Sequence, residues 1–572
     1  MTAPEPTPHP QNTAIKRYAF WGFVLFVILT TSIPYLQGRS LANGRRYLWM
    51  GYNFDDVCVY LSWMRQGAEG SLRTYNLFTT DPQNGLIANP LFFSLGLLSK
   101  LTTLPLIAVF HGARVLFTIT LLVSIKKLLK DHIRESRTQW ACLLLVAFSS
   151  GVGWIPPFSS LLGFDSPIDR WQPEAITYLS LYLNPLFLAA MTLQVLVLRN
   201  LFQSLGSTTR TAALKAGGWG FLLALIHGYD IISLGVVWTL YLVYAHRTAK
   251  SRSTLKETLL NTVIAGAITL PPALFMYLQI KSNSVFRQRV EVQTLTASPR
   301  WILLGYGFTL CFALYTVLKK PNATKEVGDV HSSTIPFLTI WMIGNALAAY
   351  LPFPFQRKML QGTHIPIALL AGIGLSRLVA TKPKRTQSLV VGLATLLLSI
   401  SNIAFLLRDC ANNANGTVQT GQHRAYLLPG EAEALQWIEK NVPKTDAVQP
   451  LPWLKQIAAE EGKTRTAISD MTLACYLGGA TGNKVYCGHF GETPNYGEKL
   501  HDLMNLQLPF SSDNEKRAIL SKMHVKYLLF TQKQADDDEK RLAPAFQGSV
   551  PLPPYFKKVY SNDDADVYQV SY

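Results

Sequence analysis

Charge is what this sequence has least of for its size. Only 15% of its 572 residues are Asp, Glu, Lys or Arg, whereas a soluble protein carries about 25%. That shortage excludes a chain solvated on every side. Negative charge is scarcer still: 35 acidic residues stand against 53 basic ones, a net +18. There is no Gly-rich phosphate loop and no soluble nucleotide-binding domain with a D-x-D motif, which argues against a soluble glycosyltransferase. An H-E-x-x-H motif is absent, and the six cysteines (Cys58, Cys142, Cys311, Cys410, Cys475 and Cys487) show no metal-ligand spacing. Cys475 and Cys487 lie in one polar region, and their spacing leaves open whether they pair. No repeat of fixed period is visible, so a solenoid is excluded.

What the sequence has instead is apolar residues, 49% of the chain, in runs of roughly twenty, the length that spans a bilayer as a helix. The pattern predicts a polytopic α-helical membrane protein of about eleven spans. They centre near residues 18–36, 104–125, 139–157, 176–198, 214–229, 231–245, 258–280, 301–318, 334–351, 364–380 and 388–407. The first follows Lys16 and Arg17 and is too long for an ordinary signal peptide, so a retained anchor is expected. The Pro-rich stretch 1–15 before it reads as disordered. Asn89–Leu104 is also apolar, but Pro90 and Pro105 bracket it, and it reads as a half-helix.

Loop charge orients this map. With the N-terminus inside, every short inside loop is basic: Lys126 to Arg137, Arg199 to Lys215, Arg247 to Lys256, Lys319 to Lys325, and Lys382 to Arg385. The net positive charge therefore reads as cytoplasmic loops and not as a nucleic-acid surface. If Asn89–Leu104 crossed fully, all later loops would flip and the rule would fail. A long loop at about 38–88, the loops near 158–175 and 281–300, and the tail 409–572 then lie outside. In that tail "LPGEAEALQWIEKNV" has helical spacing, "KYLLF" and "DVYQV" read as strands, and "SNDDA" reads as a turn. An extracytoplasmic soluble α/β domain is expected there. It contains Asn415 in an N-G-T sequon.

The outside loop 38–88 holds "YNFDDVCVYLSWMRQGAEG". Val57, Tyr60, Leu61 and Met64 give amphipathic helical spacing from about Asp55, and Gly67 or Gly70 would end the helix. Asn53 or Asp55 could cap it, which is the plain reading of an acid at a helix start. One cap needs one side chain, however, and here are two, Asp55 and Asp56. The helix dipole keeps them ionised. An ionised carboxylate at the membrane surface can accept a proton from a hydroxyl or hold a divalent cation.

One span, a long outside loop with an acidic pair on a short helix, many further spans and an outside tail: this architecture resembles the GT-C superfamily of membrane glycosyltransferases. The phrases "DDVCVYLSWMRQGAEG", "NPLFFSLGLLSK", "WQPEAITYLSLYLNPLF", "HGYD" and "RKMLQGTHIPIALLAGIGL" resemble an uncharacterised bacterial branch of it. The resemblance implies a GT-C-like transmembrane domain over 16–408. It implies a polyprenyl-phosphate-linked sugar as donor and a glycan, lipid or protein as acceptor outside the cytoplasm. It also implies a catalytic acid at Asp55 or Asp56, with Mg or Mn as a candidate cation held by one of them. A bacterial inner membrane is the expected location.

Other polar residues fit a substrate site beside the acids. Arg357 and Lys358, at the outside end of a span, match a lipid phosphate; snorkelling to headgroups is the alternative. His364 follows, as a ligand or as a helix-start residue. His227 and Asp230, in "HGYD", are ionisable groups at membrane depth or simply a turn. Glu174 is a ligand or a cap. Asp165 and Asp169 could supply a second carboxylate, or be solvated loop residues. Arg287 and Arg289 match phosphate or headgroups, and His489 and Glu492, in "YCGHFGET", match an acceptor-binding loop or a turn. A transporter would carry charge within its spans, and an assembly factor would need no acid pair. The expected activity is inverting or retaining glycosyl transfer, the resemblance implying inversion, with an envelope-polysaccharide transporter or assembly factor as the alternative.

Overall fold

The computed structural model describes residues 10–161, 163–248, 252–319, 330–419, 423–458, 464–508, 511–531, 546 and 551–571. Most of the expected disordered tail, and the loop residues Lys250, Lys320 and Lys325, lie outside these. Helix α1 runs Pro10–Thr30.

Every expected span falls on helix, though not always on one helix. α1 is followed by α2 (Ile33–Ser40) at a 44° bend. Pro34 in the first turn of α2 lacks the N–H that would continue α1. The hydroxyls of Thr31 and Ser32 donate back to Val27 O and Ile28 O at 2.9 and 2.7 Å. α3 (Phe54–Ala68) carries the acid pair, and Gly70, with φ of 85°, takes the left-handed position just past its end. α4 (Pro90–Thr102) is the short segment bracketed by prolines. At 1.5 Å per residue it spans about 20 Å, less than the bilayer core. α5 (Leu106–His132) crosses fully. α6 (Ser136–Phe148) stops well short of the expected residue 157. Gly151 lies there against the Leu304 and Gly305 carbonyls, where a Cβ would come within 2.3 Å of either oxygen. The expected span 176–198 is two helices, α7 (Thr177–Leu183) and α8 (Pro185–Gln203). The residue before a proline is forced extended, and Asn184 uses that conformation to accept from Leu186 N at 2.9 Å.

Then come α9 (Thr211–Ile226), α10 (Asp230–Thr248), α11 (Arg252–Lys281), α12 (Ser284–Glu291), α13 (Pro299–Leu318), α14 (Thr334–Ala348), α15 (His364–Val379), α16 (Lys384–Leu398) and α17 (Ile400–Ala414). Among the described residues, five helical segments are long and apolar enough to cross a membrane unaided, and seven if each bent pair is one span. Of the rest of the expected eleven, α6, α9 and α14 are shorter, and α10, though 19 residues long, is not among these.

α17 continues past the expected boundary at 408. In the tail, α18 (Pro429–Asn441), α19 (Thr472–Thr481), α20 (Tyr496–Gln507) and α21 (Asp513–Met523) flank a four-stranded sheet. Its order is Phe556–Ser561, Ala565–Val570, Tyr527–Thr531, Val448–Pro450, with the last strand parallel to its neighbour and the rest antiparallel. The expected "KYLLF" and "DVYQV" strands are adjacent in it.

The tail does not stand apart from the outside loop. Arg46–Tyr47 pairs antiparallel with Tyr426–Leu427. Val57, Tyr60, Leu61 and Met64 of α3 share one core cluster with Leu427, Leu435, Ile438, Leu473 and Leu477 of the tail. Apolar area buried at about 25 cal/mol per Å² makes this seam a firm joint. It closes over the first turn of α3.

Candidate active site

Neither aspartate caps α3. Asn53 occupies the cap position without a side-chain hydrogen bond, and Asp55 and Asp56 sit inside the first turn. Successive helical residues point about 100° apart, and the two acids use this to face different regions. Asp55 turns into the tail and is 7% exposed. Its Oδ2 accepts from Gln419 Nε2 at 2.7 Å, and its Oδ1 lies 3.0 Å from His423 Nε2. The Cys475 thiol, 3.7 Å from Oδ1, also donates to Gly488 O at 3.5 Å. Burial by itself would raise the Asp55 carboxyl. His423, His489 and the Gln419 amide outweigh it and hold Asp55 well below the usual carboxylate range.

Asp56 is half-buried and has no hydrogen bond or ion pair among the described residues. Its charge acts on Arg289 and Glu492, two residues that meet in an ion pair. The Arg289 guanidinium also lies over the Trp63 ring, 5.2 Å from its centroid. Burial raises the Glu492 carboxyl above its ordinary value; Arg289 and His489 offset part of this, and Asp56 adds to it. The charge of Lys358 also reaches Glu492, and its Nζ lies 4.4 Å from the Tyr229 ring centroid with no carboxylate partner among the described residues. His489 is buried. Its Nδ1 accepts from the Gly491 and Glu492 amides at 2.9 and 3.1 Å, so in the neutral ring Nε2 carries the proton. That Nε2 is buried with no partner.

The remaining predicted residues divide between support and interior. Arg357 Nε is 3.0 Å from Glu174 Oε1, and the guanidinium lies over Trp171. His227 Nδ1 is 3.1 Å from Asp230 Oδ2, which also accepts from Gln361 Nε2 at 3.1 Å. The pair lies in the turn that presents Tyr229 to Lys358, and Asp230 Oδ1 is buried without a partner among the described residues. His364 is spent: Nδ1 meets Thr177 Oγ1 at 2.9 Å and Nε2 meets Ser149 Oγ at 3.1 Å. No ring nitrogen is left for a substrate, and the helix-start reading of His364 fits. Asp165 is exposed, whereas Asp169 is fully buried and is no solvated loop residue. Arg287 is exposed and pairs loosely within its own helix, 3.8 Å from Glu291. Cys475 and Cys487 are both free thiols.

Gln419, His423 and Cys475 had no signal as a group in the sequence. They lie more than 360 residues from Asp55 in the chain, and only the seam between loop and tail unites them. Together with Asp55, His423 and Cys475 form the one group among the described residues able to hold a metal ion. Its nitrogen and sulfur donors do not suit the expected Mg or Mn, which prefer oxygen cages. A cavity of about 360 Å³ at the far end of α3 is lined by Arg65, Glu69 and Lys100 and not by the acids.

No protein-family model matches the chain, and no curated protein sequence matches it either. Solved structures do. ArnT from Cupriavidus metallidurans bound to undecaprenyl phosphate superposes with a TM-score of 0.50 over 96% of this chain and 98% of that one, at 12% identity. AglB, the oligosaccharyltransferase of Archaeoglobus fulgidus in complex with an inhibitory peptide and a dolichol-phosphate, gives 0.49 at 12% identity over 89% and 69%. The mycobacterial arabinofuranosyltransferase AftD gives 0.48 at 13% over 96% of this chain and 40% of its own. The chain has the fold of the GT-C membrane glycosyltransferases, with its helices in the membrane domain and a strand-containing tail.

Proposed function

We propose that this protein transfers a sugar from a polyprenyl-phosphate donor to a hydroxyl-bearing acceptor, a glycan, lipid or protein, at the outer face of the membrane in which it is embedded. The orientation rests on the basic inside loops. The observation that carries the reading is the division of labour within the acid pair. Asp55 is fully engaged, while Asp56 has no partner among the described residues and, like Lys358, acts on Glu492 of the Arg289–Glu492 pair. ArnT and AglB, the latter by its fold alone, are known in complexes with undecaprenyl phosphate and dolichol-phosphate, and a carrier of that kind suits a lone lysine near the membrane surface.

In this mechanism Asp56 takes the proton of the acceptor hydroxyl. The oxygen attacks the anomeric carbon, the bond from that carbon to the phosphate oxygen breaks, and configuration inverts. Lys358 holds the phosphate and stabilises its leaving charge. Arg357, tied to Glu174, positions the short segment that carries Lys358. The His489 Nε2–H is a donor for an acceptor oxygen. No step needs a metal.

A transport path is not supported by the buried charge of Arg114 in α5. Arg114 donates to Thr31 and Leu181 oxygens and to Ser32 Oγ at 3.1 to 3.5 Å, so it satisfies the carbonyls freed where α1 and α7 end. The test is transfer of radiolabelled sugar from synthetic polyprenyl-phosphate donors by purified protein, wild type beside Asp56→Asn. Expected is release by the wild type only. Wild-type turnover in Asp56→Asn removes Asp56 as the base; no release by the wild type from any donor removes the transfer reading itself.

A further inference from the structure

Asp55 is a buried carboxylate in contact with a histidine, and a buried thiol points at the same oxygen. The three donors come from three separate places: the first turn of α3, the strand His423–Arg424 and the first turns of α19. Asp55 Oδ1 to His423 Nε2 is 3.0 Å, Asp55 Oδ1 to Cys475 Sγ is 3.7 Å, and all three donor atoms lie within 4.8 Å of one another. We propose that Asp55, His423 and Cys475 form a zinc site that clips the tail to the membrane domain.

Tetrahedral zinc holds oxygen and nitrogen at about 2.0–2.2 Å and sulfur at about 2.3 Å, which puts neighbouring donors roughly 3.3–3.7 Å apart. Small movements bring the three into that arrangement. One thiolate, one imidazole and one carboxylate select zinc over magnesium or manganese. Two of the ligands are already held from behind. Gln419 fixes the second oxygen of Asp55 at 2.7 Å, and the Phe54 ring stacks on His423 with centroids 4.4 Å apart. On binding, the Cys475 thiol gives its proton to solvent and the S–H bond is replaced by S–Zn. With three protein ligands a fourth position stays open for water. Asp56 makes none of these three contacts, so the site is built without the proposed base.

The test uses the full chain in detergent. Metal content is measured after purification without chelator; the protein is then stripped and reloaded with Co²⁺, and the near-ultraviolet absorption is read for a thiolate-to-cobalt band. The expected result is about one zinc per chain as isolated, and a cobalt–thiolate band in the wild type and in Cys487→Ser that is lost in Cys475→Ser. A folded wild type that takes up cobalt without the band, or takes up none, overturns the site. So does a band that persists in Cys475→Ser. If Cys475→Ser fails to fold, the sulfur and nitrogen shell seen by X-ray absorption on zinc-loaded wild type decides, and an oxygen-only shell overturns the site.

Discussion

Two clusters of charge lie close together in this molecule and behave in opposite ways. In the tail, Arg424 donates to both oxygens of Glu431 at 2.8 and 2.9 Å and to Asp470 at 3.1 Å. Asp470 in turn takes the amide and hydroxyl of Thr472, and Glu431 also takes the Leu428 amide at 2.9 Å. Every charge in that cluster is buried and answered. Among the described residues, Asp56 and Lys358 have no oppositely charged partner, and His489 Nε2 has no partner at all. Both clusters combine acidic with basic side chains. Closure marks the first as scaffold; openness marks the second as the place where a substrate would complete the set.

Mutating each cluster should separate these roles. Asp56→Asn removes a general base and keeps its shape, so the turnover number should fall by about 10²–10⁴-fold with an unchanged melting temperature. Arg424→Met should do the reverse. It strands two buried carboxylates, which costs about 3–5 kcal/mol, visible as a lower melting temperature in detergent, while the protein that remains folded turns over normally. A stable but inactive Arg424→Met, or an unstable Asp56→Asn, would break the comparison. Lys358→Met comes next. Losing a charged hydrogen bond of about 1.5–3 kcal/mol should raise the KM for the donor by roughly 10–100-fold, with a smaller change in turnover. An unchanged donor KM would remove Lys358 from the phosphate.

How much of this was legible in the sequence follows from range. The spans and the amphipathic α3 are local patterns, and Val57, Tyr60, Leu61 and Met64 are buried as their spacing implied. Helix breaks were less legible, because Asn184–Pro185 interrupts an apolar run that hydropathy alone reads as continuous. The acid pair was visible, but its split was not. That split depends on Gln419 and His423, which reach α3 through pairing of the outside loop with the tail. His364 and the His227–Asp230 pair looked like site residues because ionisable groups at span ends are conspicuous; their partners, Thr177, Ser149 and Gln361, are uncharged and drew no notice.

A third acid tests whether openness alone marks a site. Asp169 is fully buried; its Oδ2 accepts from Gly153 N at 3.1 Å, and its Oδ1 has no partner. Burial pushes its carboxyl up to about 6, against smaller opposing contributions from Ser401, the Gly153 amide and Arg170. A raised acid is protonated in the fold at a pH where the unfolded chain has lost the proton. Its stabilising effect is therefore present below the unfolded value of 3.8 and fades as pH rises toward about 6. The slope is at most about 1.4 kcal/mol per pH unit over that window. Melting temperatures from pH 4 to 7 should show it, and Asp169→Asn should flatten it and leave transfer unchanged. If Asp169→Asn instead impairs transfer, an unanswered buried acid marks the site wherever it lies, and the boundary drawn around Asp56, Lys358 and His489 is too narrow.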